Sequence, residues 1–265
     1  MSRRIVFLVM FPSLLICGAA RADPIVIGDI PAYSWYHGCG PTAAASILGY
    51  WDLYGYSNLF DASGSDVFLT ANVQDQISSP AHNAKYDWYP DSSGLPDPSD
   101  TSIADFFHTS EGGLDYGWSF QSYAASTFID YAAYRGYQFS SFYEYYYDGF
   151  SWDQFTGEIN AGRPMMFLVD TEGSGNTDHF VPVIGYDDRG TDGLWYGLYT
   201  TFEEAETVVW EPFRGMESGN TWGIGYATFV RPESAPDGSP VPESGRALLV
   251  GFAGLFAIVC GRPNR

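Results

Sequence analysis

Two side chains in this 265-residue sequence can perform nucleophilic catalysis together, the thiol of Cys39 and the imidazole of His179. Cys39 lies in the run GCGPTAAA, and His179 follows 140 positions later in the run DHFVPVIGYDD. An imidazole beside a thiol can take its proton, so that the sulfur attacks a carbonyl carbon, and can later protonate the leaving amine. The two residues therefore predict hydrolysis or acyl transfer through a thioester.

A third residue must orient the imidazole, and a hairpin turn within DDRGTDG brings the end of the next strand opposite His179. Thr200 and Thr201 lie at that position, so we predict that a threonine hydroxyl orients the ring. A carboxylate or an amide is the more usual partner. Asp178 and Glu203 are the nearest carboxylates in sequence, and they remain alternatives to the threonines.

The negative oxygen of a tetrahedral intermediate needs hydrogen-bond donors close to the nucleophile. The backbone N–H of Cys39 is the first predicted donor. The second donor is expected from the loop before the cysteine, where the indole N–H of Trp35 is the first choice and Ser34 is the second.

A helix is predicted directly after Cys39. Pro41 suits the first helical position, and apolar residues then recur with helical spacing at Ala44, Ile47, Leu48 and Trp51. The start of a helix favours an anion, so this position predicts a lowered pKa for the thiol. The structural alternative is a small buried cysteine ahead of an Ala-rich core helix.

The remaining pattern predicts an α+β fold, with helices first and an antiparallel sheet of four or five strands in the second half. Predicted helices cover residues 73–77, 102–108, 121–135 and 153–161. Predicted strands cover residues 25–30, 137–147, 164–170, 179–186, 194–202, 208–213 and 223–230. Residues 57–100 are otherwise interpreted as loops that cover the first helix.

These motifs, with ISSPAHNAKYDWYPDSSGLPDPSDTSIADFFHTS and INAGRPMMFLVD, resemble the double-glycine (bacteriocin-processing) peptidase-like family of the papain-like cysteine peptidase superfamily. The resemblance implies a papain-like fold in which an N-terminal helix bearing the cysteine packs on an antiparallel sheet. It also implies that Cys39 is the nucleophile, that His179 is the base, and that the substrate is a peptide or protein.

The sequence departs from that family at two positions. Trp35 lies in the loop where the family often has a glutamine, and threonine replaces the Asp or Asn that follows the histidine strand. Three hypotheses therefore remain: an exported cysteine peptidase, an envelope or extracellular-matrix binding protein that kept the fold without efficient catalysis, and an acyl transferase that uses the same thioester chemistry.

Both ends of the chain resemble export signals. Arg3 and Arg4 precede the apolar run 5–17, and Ala20-Arg21-Ala22 supplies small residues at the cleavage position, as in a secretory signal peptide. Val241-Pro242-Glu243-Ser244 resembles the PEP-CTERM sorting motif, and a short apolar segment with a basic end follows it.

The terminal signals divide the chain into four predicted parts. Residues 1–22 form the signal peptide, 23–231 the peptidase-like domain, 232–245 a linker with the sorting motif, and 246–265 the hydrophobic sorting segment with its basic end. We expect export through the inner membrane to the cell envelope or beyond, with sorting and processing machinery at the inner membrane as a partner.

The cysteine count, the net charge and the histidine positions exclude several further classes of function. Cys17 and Cys260 lie in the terminal segments, so Cys39 is the one cysteine of the predicted domain and has no disulfide partner within it. Residues 23–240 hold 31 acidic and 6 basic side chains, a net charge of −25, which excludes nucleic acid as a natural partner. We expect no metal and no cofactor, because His82 and His108, with Asp91 and Asp105 near them in sequence, match no metal-binding motif.

Overall fold

The computed structural model describes residues 23–60, 70–87, 94–202 and 207–233. The predicted signal peptide, the sorting segment and nearly all of the linker lie outside these residues, as does Glu203. The helices within them are α1 (Cys39–Leu53), α2 (Ala71–Ile77), α3 (Pro80–Lys85), α4 (Ile103–Phe106), α5 (Gln121–Tyr134) and α6 (Trp152–Asn160). The strands are β1 (Ile25–Val26), β2 (Phe139–Tyr145), β3 (Met165–Asp170), β4 (His179–Asp188), β5 (Leu194–Leu198), β6 (Val209–Pro212) and β7 (Gly223–Pro232).

The described strands form one antiparallel sheet in the order β2-β7-β3-β4-β5-β6, and β1 pairs with β4 beyond the start of β3. The α+β class is as predicted. The sheet has seven strands instead of four or five, because β1 and β2 join the strands of the second half. β1 is shorter than the predicted strand 25–30, since Ile25 and Val26 alone pair with β4.

Helix α1 lies against β4 and is the central helix of the fold. Every residue from Cys39 to Trp51 is buried, which suits an Ala-rich helix surrounded by other elements on all sides. The helix begins at Cys39, two residues before the predicted start at Pro41. Proline is tolerated there because the N–H groups of the first helical turn have no partner within the helix.

Local capping chemistry explains the short helices of the first half. Ser102 and Asp105 form the predicted capping box of α4. The helix α3 is missing from the sequence prediction, although Ser79 accepts a hydrogen bond from the His82 N–H and Pro80 occupies the first turn. Those two residues were the available signal, since serine before proline is typical of a helix start.

The β4–β5 hairpin places the residues expected beside His179. The strand β5 ends at Leu198, four residues earlier than predicted, so residues 199–202 leave the sheet. The first of them, Tyr199, still donates its N–H to the Pro182 carbonyl, which carries the chain back toward the start of β4. Within the four described ranges, no helix has the length and apolar character needed to cross a membrane.

Candidate active site

A cavity of about 470 Å³ lies where the start of α1 meets the start of β4. Cys39 and His179 both line it, together with Trp35, Leu114, Tyr116, Gly117, Trp118, Ser119, Phe120, Gln121, Leu168, Thr177, Asp178, Phe180 and Tyr226. The volume falls within the range of pockets that hold small ligands or a few residues of a peptide. The fold thus brings the two reactive side chains to one cleft from positions distant in sequence.

Cys39 is positioned by the turn before α1. Gly38 has φ 150°, and a Cβ built on it would lie 2.8 Å from Thr109 Cγ2, so both the backbone conformation and the available space require glycine. Gly40 is also confined, because its Cβ would lie 3.1 Å from the Phe107 ring. These two contacts hold the cysteine backbone against the segment that contains Phe107 and Thr109.

The thiol does not have the lowered pKa that its helix position predicts. Burial raises the pKa of Cys39, and the nearby charge of Asp178 raises it further. Hydrogen bonds from the backbone N–H groups of Phe180, Gly40 and Cys39 itself favour the thiolate, but they do not outweigh burial. Desolvation of the whole residue is the larger effect because Cys39 is only 9% exposed.

His179 opens β4 and has a defined tautomer. Its Nε2 lies 2.8 Å from the Thr200 carbonyl oxygen and 3.2 Å from Thr201 Oγ1. A carbonyl oxygen only accepts hydrogen bonds, so Nε2 must carry the proton. The neutral ring therefore has its lone pair on Nδ1, and this nitrogen is the one able to accept a thiol proton. The Phe202 ring stacks on the imidazole with centroids 4.6 Å apart.

The two predicted orienting threonines act through different atoms. Thr200 presents its backbone carbonyl to the ring, while its hydroxyl accepts the Phe202 N–H at 3.3 Å. Thr201 presents its hydroxyl, and its φ of 59° is unusual for a β-branched residue. The Thr201 carbonyl also accepts the backbone N–H of Trp35, which ties the orienting residues to the loop before the cysteine.

Asp178 does not contact the ring as an orienting residue. Its carboxylate accepts hydrogen bonds from the Thr171 N–H at 2.9 Å and from the Thr171 hydroxyl at 2.8 Å. Burial lowers the pKa of His179, and the Thr200 hydrogen bond and the Asp178 charge oppose that effect only in part. The free site therefore favours a neutral thiol beside a neutral imidazole.

Trp35, the predicted oxyanion donor, lines the cavity and is 39% exposed. Its ring meets Tyr116 edge-on with centroids 5.8 Å apart. A Cβ on Gly117 would lie 2.7 Å from the indole, so glycine permits this packing. Ser34 does not line the cavity.

The wall formed by residues 114–121 was not anticipated from the sequence. It brings Tyr116, Trp118 and Phe120 to the cavity, and the last two are 51% and 52% exposed. Gln121 follows them, and its Nε2 donates to Thr228 Oγ1 at 3.4 Å. The available signal was the density of aromatic residues in a loop, which alone does not identify what the loop packs against.

The histidines considered as metal ligands have other partners. His82 Nδ1 lies 2.7 Å from Asp105 Oδ1, and His108 Nδ1 lies 2.8 Å from Glu111 Oε2. Asp91 lies outside the described residues. Among the residues that the structure covers, no three His, Cys, Asp or Glu side chains form a group able to hold a metal ion.

A comparison with protein families matches the part of the chain that contains Cys39 and His179. A family model described as "Peptidase_C39 like family" matches residues 27–215. That range contains the cysteine turn, the wall and the histidine strand, whereas β7 lies beyond it. No curated protein matches the chain.

Proposed function

Because the chain belongs to the Peptidase_C39 like family and contains a cysteine peptidase-like domain, we propose that it hydrolyses peptide bonds. Cys39 is the nucleophile in this proposal and His179 is the general base. One observation carries it: both side chains line the same cavity, and the Thr200 carbonyl holds the imidazole in the tautomer whose Nδ1 can accept a proton.

The first chemical step starts from the neutral pair. As the Cys39 sulfur attacks the substrate carbonyl carbon, its proton moves to Nδ1 of His179, and a carbon–sulfur bond forms. The imidazolium that results donates from Nε2 to the Thr200 carbonyl and Thr201 hydroxyl, which stabilise it less than a carboxylate would.

The tetrahedral intermediate then collapses. Its oxyanion accepts hydrogen bonds from the Cys39 N–H and the Trp35 indole N–H. His179 returns the proton to the leaving nitrogen as the carbon–nitrogen bond breaks, so an amine leaves and a thioester remains on Cys39. A water molecule then loses a proton to His179 and attacks the thioester, which releases a carboxylic acid and restores the thiol.

The cleft favours a peptide substrate with a bulky apolar side chain next to the cleaved bond. Leu114, Tyr116, Trp118 and Phe120 form an apolar wall beside Cys39. Exposed large aromatic side chains that adjoin a cleft are typical of a binding surface. The acidic domain, with a net charge of −25 over residues 23–240, disfavours strongly acidic peptides.

Export to the cell envelope or beyond is part of the proposal and depends on the two terminal segments. The signal-peptide pattern of residues 1–22 and the PEP-CTERM-like pattern near 241–244 support it. Intact-mass analysis of the protein from fractionated bacterial cells is the test. We expect cleavage after Ala22 and recovery from the envelope or medium, and a full-length cytoplasmic chain would contradict export.

A binding protein with the same fold is the second candidate. The raised pKa of Cys39 and the absence of a carboxylate or amide on the His179 ring among the described residues favour it. Such a protein would hold peptides in the cleft without cleaving them.

Hydrolysis of a fluorescence-quenched peptide library by the full chain separates the two candidates. The proposal expects cleavage that both Cys39→Ala and His179→Ala abolish, with a thioester trapped on Cys39 when the reaction is quenched in acid. If the parent protein binds peptides without cleaving them, the second candidate, a binding protein, is correct. Cleavage that persists in Cys39→Ala would show that another residue is the nucleophile.

A further inference from the structure

We propose that the buried pair formed by His82 and Asp105 is a positioning device for Cys39. The pair holds the Thr109 backbone, and Thr109 packs against the glycine that precedes the cysteine. This inference rests on the proposed function in one respect, the assignment of Cys39 as the nucleophile. Neither member of the pair lines the cavity, so both are positioning residues and not catalytic ones.

The pair itself is almost completely buried, with His82 and Asp105 each 1% exposed. His82 Nδ1 lies 2.7 Å from Asp105 Oδ1, and His82 Nε2 lies 2.9 Å from the Thr109 carbonyl oxygen. Burial alone would raise the pKa of Asp105, but hydrogen bonds from His82 and Ser102 lower it, so the carboxylate is charged. Both ring nitrogens of His82 therefore face hydrogen-bond acceptors.

Asp105 is in turn fixed by its own helix start. Its Oδ2 accepts the Ser102 N–H at 2.8 Å, the Ser102 hydroxyl at 2.7 Å and the Thr101 N–H at 3.1 Å. The carboxylate thus has no freedom to turn away from His82. The pair connects α3, which carries His82, to α4 and to the chain that follows it.

That following chain is strained where the pair holds it. His108 has φ 52° and Ser110 has φ 63°, so the residues on both sides of Thr109 adopt the left-handed conformation that side chains disfavour. Such conformations persist only where surrounding contacts impose them, and they occur often at functional sites. The contacts here are the His82 bond to the Thr109 carbonyl, the Thr109 N–H bond to the Ala104 carbonyl at 3.0 Å, and the Ser110 N–H bond to Trp118 at 2.8 Å.

Thr109 transmits this restraint to the cysteine turn by two contacts. Its Cγ2 lies 2.8 Å from the position of a Cβ on Gly38, so the methyl group packs directly on that glycine. Its hydroxyl lies 2.8 Å from Ser119 Oγ, and Ser119 lines the cavity beside Gly40. The turn is strained on the other side as well, because His37 has φ 50°.

The test compares His82→Phe with Glu158→Gln in the full chain. Glu158 belongs to a second buried charged cluster, with Arg163 and Arg231, and it does not contact the cysteine turn. The Glu158→Gln variant therefore controls for a general loss of stability. Melting temperature and circular dichroism would first establish that each variant is folded at the assay temperature.

The substrate-independent measurement is hydrogen exchange of the Thr42 amide, which donates to the Gly38 carbonyl at 3.2 Å. Measured under conditions where this amide exchanges by local opening and not by global unfolding, exchange should accelerate about 10-fold or more in His82→Phe and stay within about 2-fold of the parent in Glu158→Gln. Unchanged exchange in folded His82→Phe, or an equal increase in Glu158→Gln, would overturn the proposal.

The second measurement compares the changes in kcat and in KM for the best peptide substrate from the quenched library. A small displacement of the nucleophile affects the chemical step more than binding, so kcat in His82→Phe should fall about 10- to 100-fold while KM changes less than about 3-fold. An unchanged kcat would overturn the positioning role. If the parent protein cleaves no peptide but His82→Phe still loses exchange protection at Thr42, the positioning role stands and the proposed function is wrong.

Thr109→Ser keeps the inference testable if His82→Phe fails to fold. Serine retains the hydroxyl that meets Ser119 and removes only the methyl group that packs on Gly38. We expect smaller effects in the same directions: exchange of the Thr42 amide should accelerate about 3- to 10-fold, and kcat should fall about 3- to 10-fold. Parent-like values for both in the folded variant would contradict transmission through Thr109.

Discussion

At the scale of single residues, the orientation of His179 depends on a main-chain atom. The Thr200 carbonyl sets the tautomer, and the Thr201 hydroxyl adds a second, longer contact. Neither partner carries a full charge, so the imidazolium of the proposed chemical step would be stabilised only by dipoles. Replacing the Thr200 side chain leaves its carbonyl in place, and the two threonines should therefore respond differently to mutation.

We predict that Thr200→Ala changes kcat less than about 3-fold, whereas Thr201→Ala lowers kcat about 10-fold. The Thr201 hydroxyl faces the ring, while the Thr200 hydroxyl bonds the Phe202 N–H. Loss of a full carboxylate from a triad costs up to about 10⁴, and a hydroxyl should contribute much less. Steady-state hydrolysis of one quenched peptide by the parent and both variants is the measurement.

Thr201→Asn provides the matched control for the same position. Asparagine tolerates the left-handed conformation at φ 59° better than threonine does and offers an amide oxygen to the ring. We expect its kcat to equal or exceed that of the parent. A greater loss in Thr200→Ala than in Thr201→Ala would contradict the assignment of the two threonines.

The second prediction concerns the protonation state of the free site. Burial raises the pKa of Cys39 above its ordinary value of 9.0 and lowers the pKa of His179 below 6.5. Between these two values both groups are neutral, so the alkylation rate of Cys39 by iodoacetamide should fall about 10-fold per pH unit below a midpoint above pH 9. The pH–rate profile of alkylation, read by mass spectrometry, measures this.

His179→Ala distinguishes that neutral pair from a preformed thiolate–imidazolium pair. A neutral imidazole does not raise the thiolate fraction, so the variant should alkylate within about 2-fold of the parent at pH 7. A plateau of fast alkylation near pH 6 that disappears in His179→Ala would show an ion pair. That is the behaviour that the helix position of Cys39 predicts when its burial is ignored.

At the scale of elements, one side of the cleft is built from a helix and a strand, and the other side is a segment without regular secondary structure. The start of α1 and the start of β4 supply the reactive residues, and the segment 114–121 supplies an apolar wall. The wall ends at α5, whose first residue is Gln121. Substrate preference should therefore depend on the irregular segment, which carries no residue of the proposed chemical step.

We predict that Trp118→Ala lowers kcat/KM about 10-fold or more for peptides with Phe or Leu beside the cleaved bond. For the corresponding Ala peptides kcat/KM should fall less than about 3-fold. An Ala side chain buries little apolar surface against Trp118, so its removal costs these peptides little binding energy. Tyr134→Ala is the matched control, since Tyr134 is 50% exposed against 51% for Trp118 and lies on α5 away from the cavity. Equal losses for Phe and Ala peptides would contradict a specificity role for the wall.

At the scale of the whole molecule, a buried charged cluster connects α6 to β7. Glu158 accepts hydrogen bonds from Arg163 at 2.6 Å and 2.8 Å, and from Arg231 at 2.7 Å and 3.2 Å. Burial alone would raise the pKa of Glu158, but the two guanidinium groups outweigh burial and lower it. The cluster therefore adds a side-chain link between α6 and β7, a strand that lies outside the family match and already pairs with β2 and β3 in the sheet.

We predict that Glu158→Gln lowers the free energy of unfolding at pH 7 by about 2 kcal/mol. This is less than for a fully buried pair, because the side chains of Arg163 and Arg231 are 30% and 41% exposed. The folded pKa of Glu158 lies below its ordinary value of 4.5, so its contribution is present above pH 4.5 and is lost as pH falls through the folded pKa.

Urea unfolding of the parent and the variant from pH 7 to pH 3 measures this effect. The difference between them should be greatest at neutral pH and should narrow below pH 4.5. A difference that stays constant over this range would show that charge on Glu158 does not stabilise the fold.

The sequence alone was sufficient for features that depend on local pattern. Glycine, proline and alanine around Cys39 predict a helix start, a run of apolar residues after His179 predicts a strand, and a short hairpin brings Thr200 and Thr201 near that histidine. Capping residues likewise predict α4 with Ser102 and Asp105 in their observed roles. These features are set by a few neighbouring residues or by the geometry of one hairpin, so they can be inferred without the rest of the fold.

The tertiary structure alone decided the features that depend on contacts between distant segments. The direction of the Cys39 pKa shift follows from burial by elements far away in sequence, which outweighs the local helix start. The wall at 114–121, the carbonyl role of Thr200 and the contact between Thr109 and Gly38 have the same origin. Desolvation and packing depend on every group that surrounds an atom, and residue spacing along a chain does not specify that surrounding.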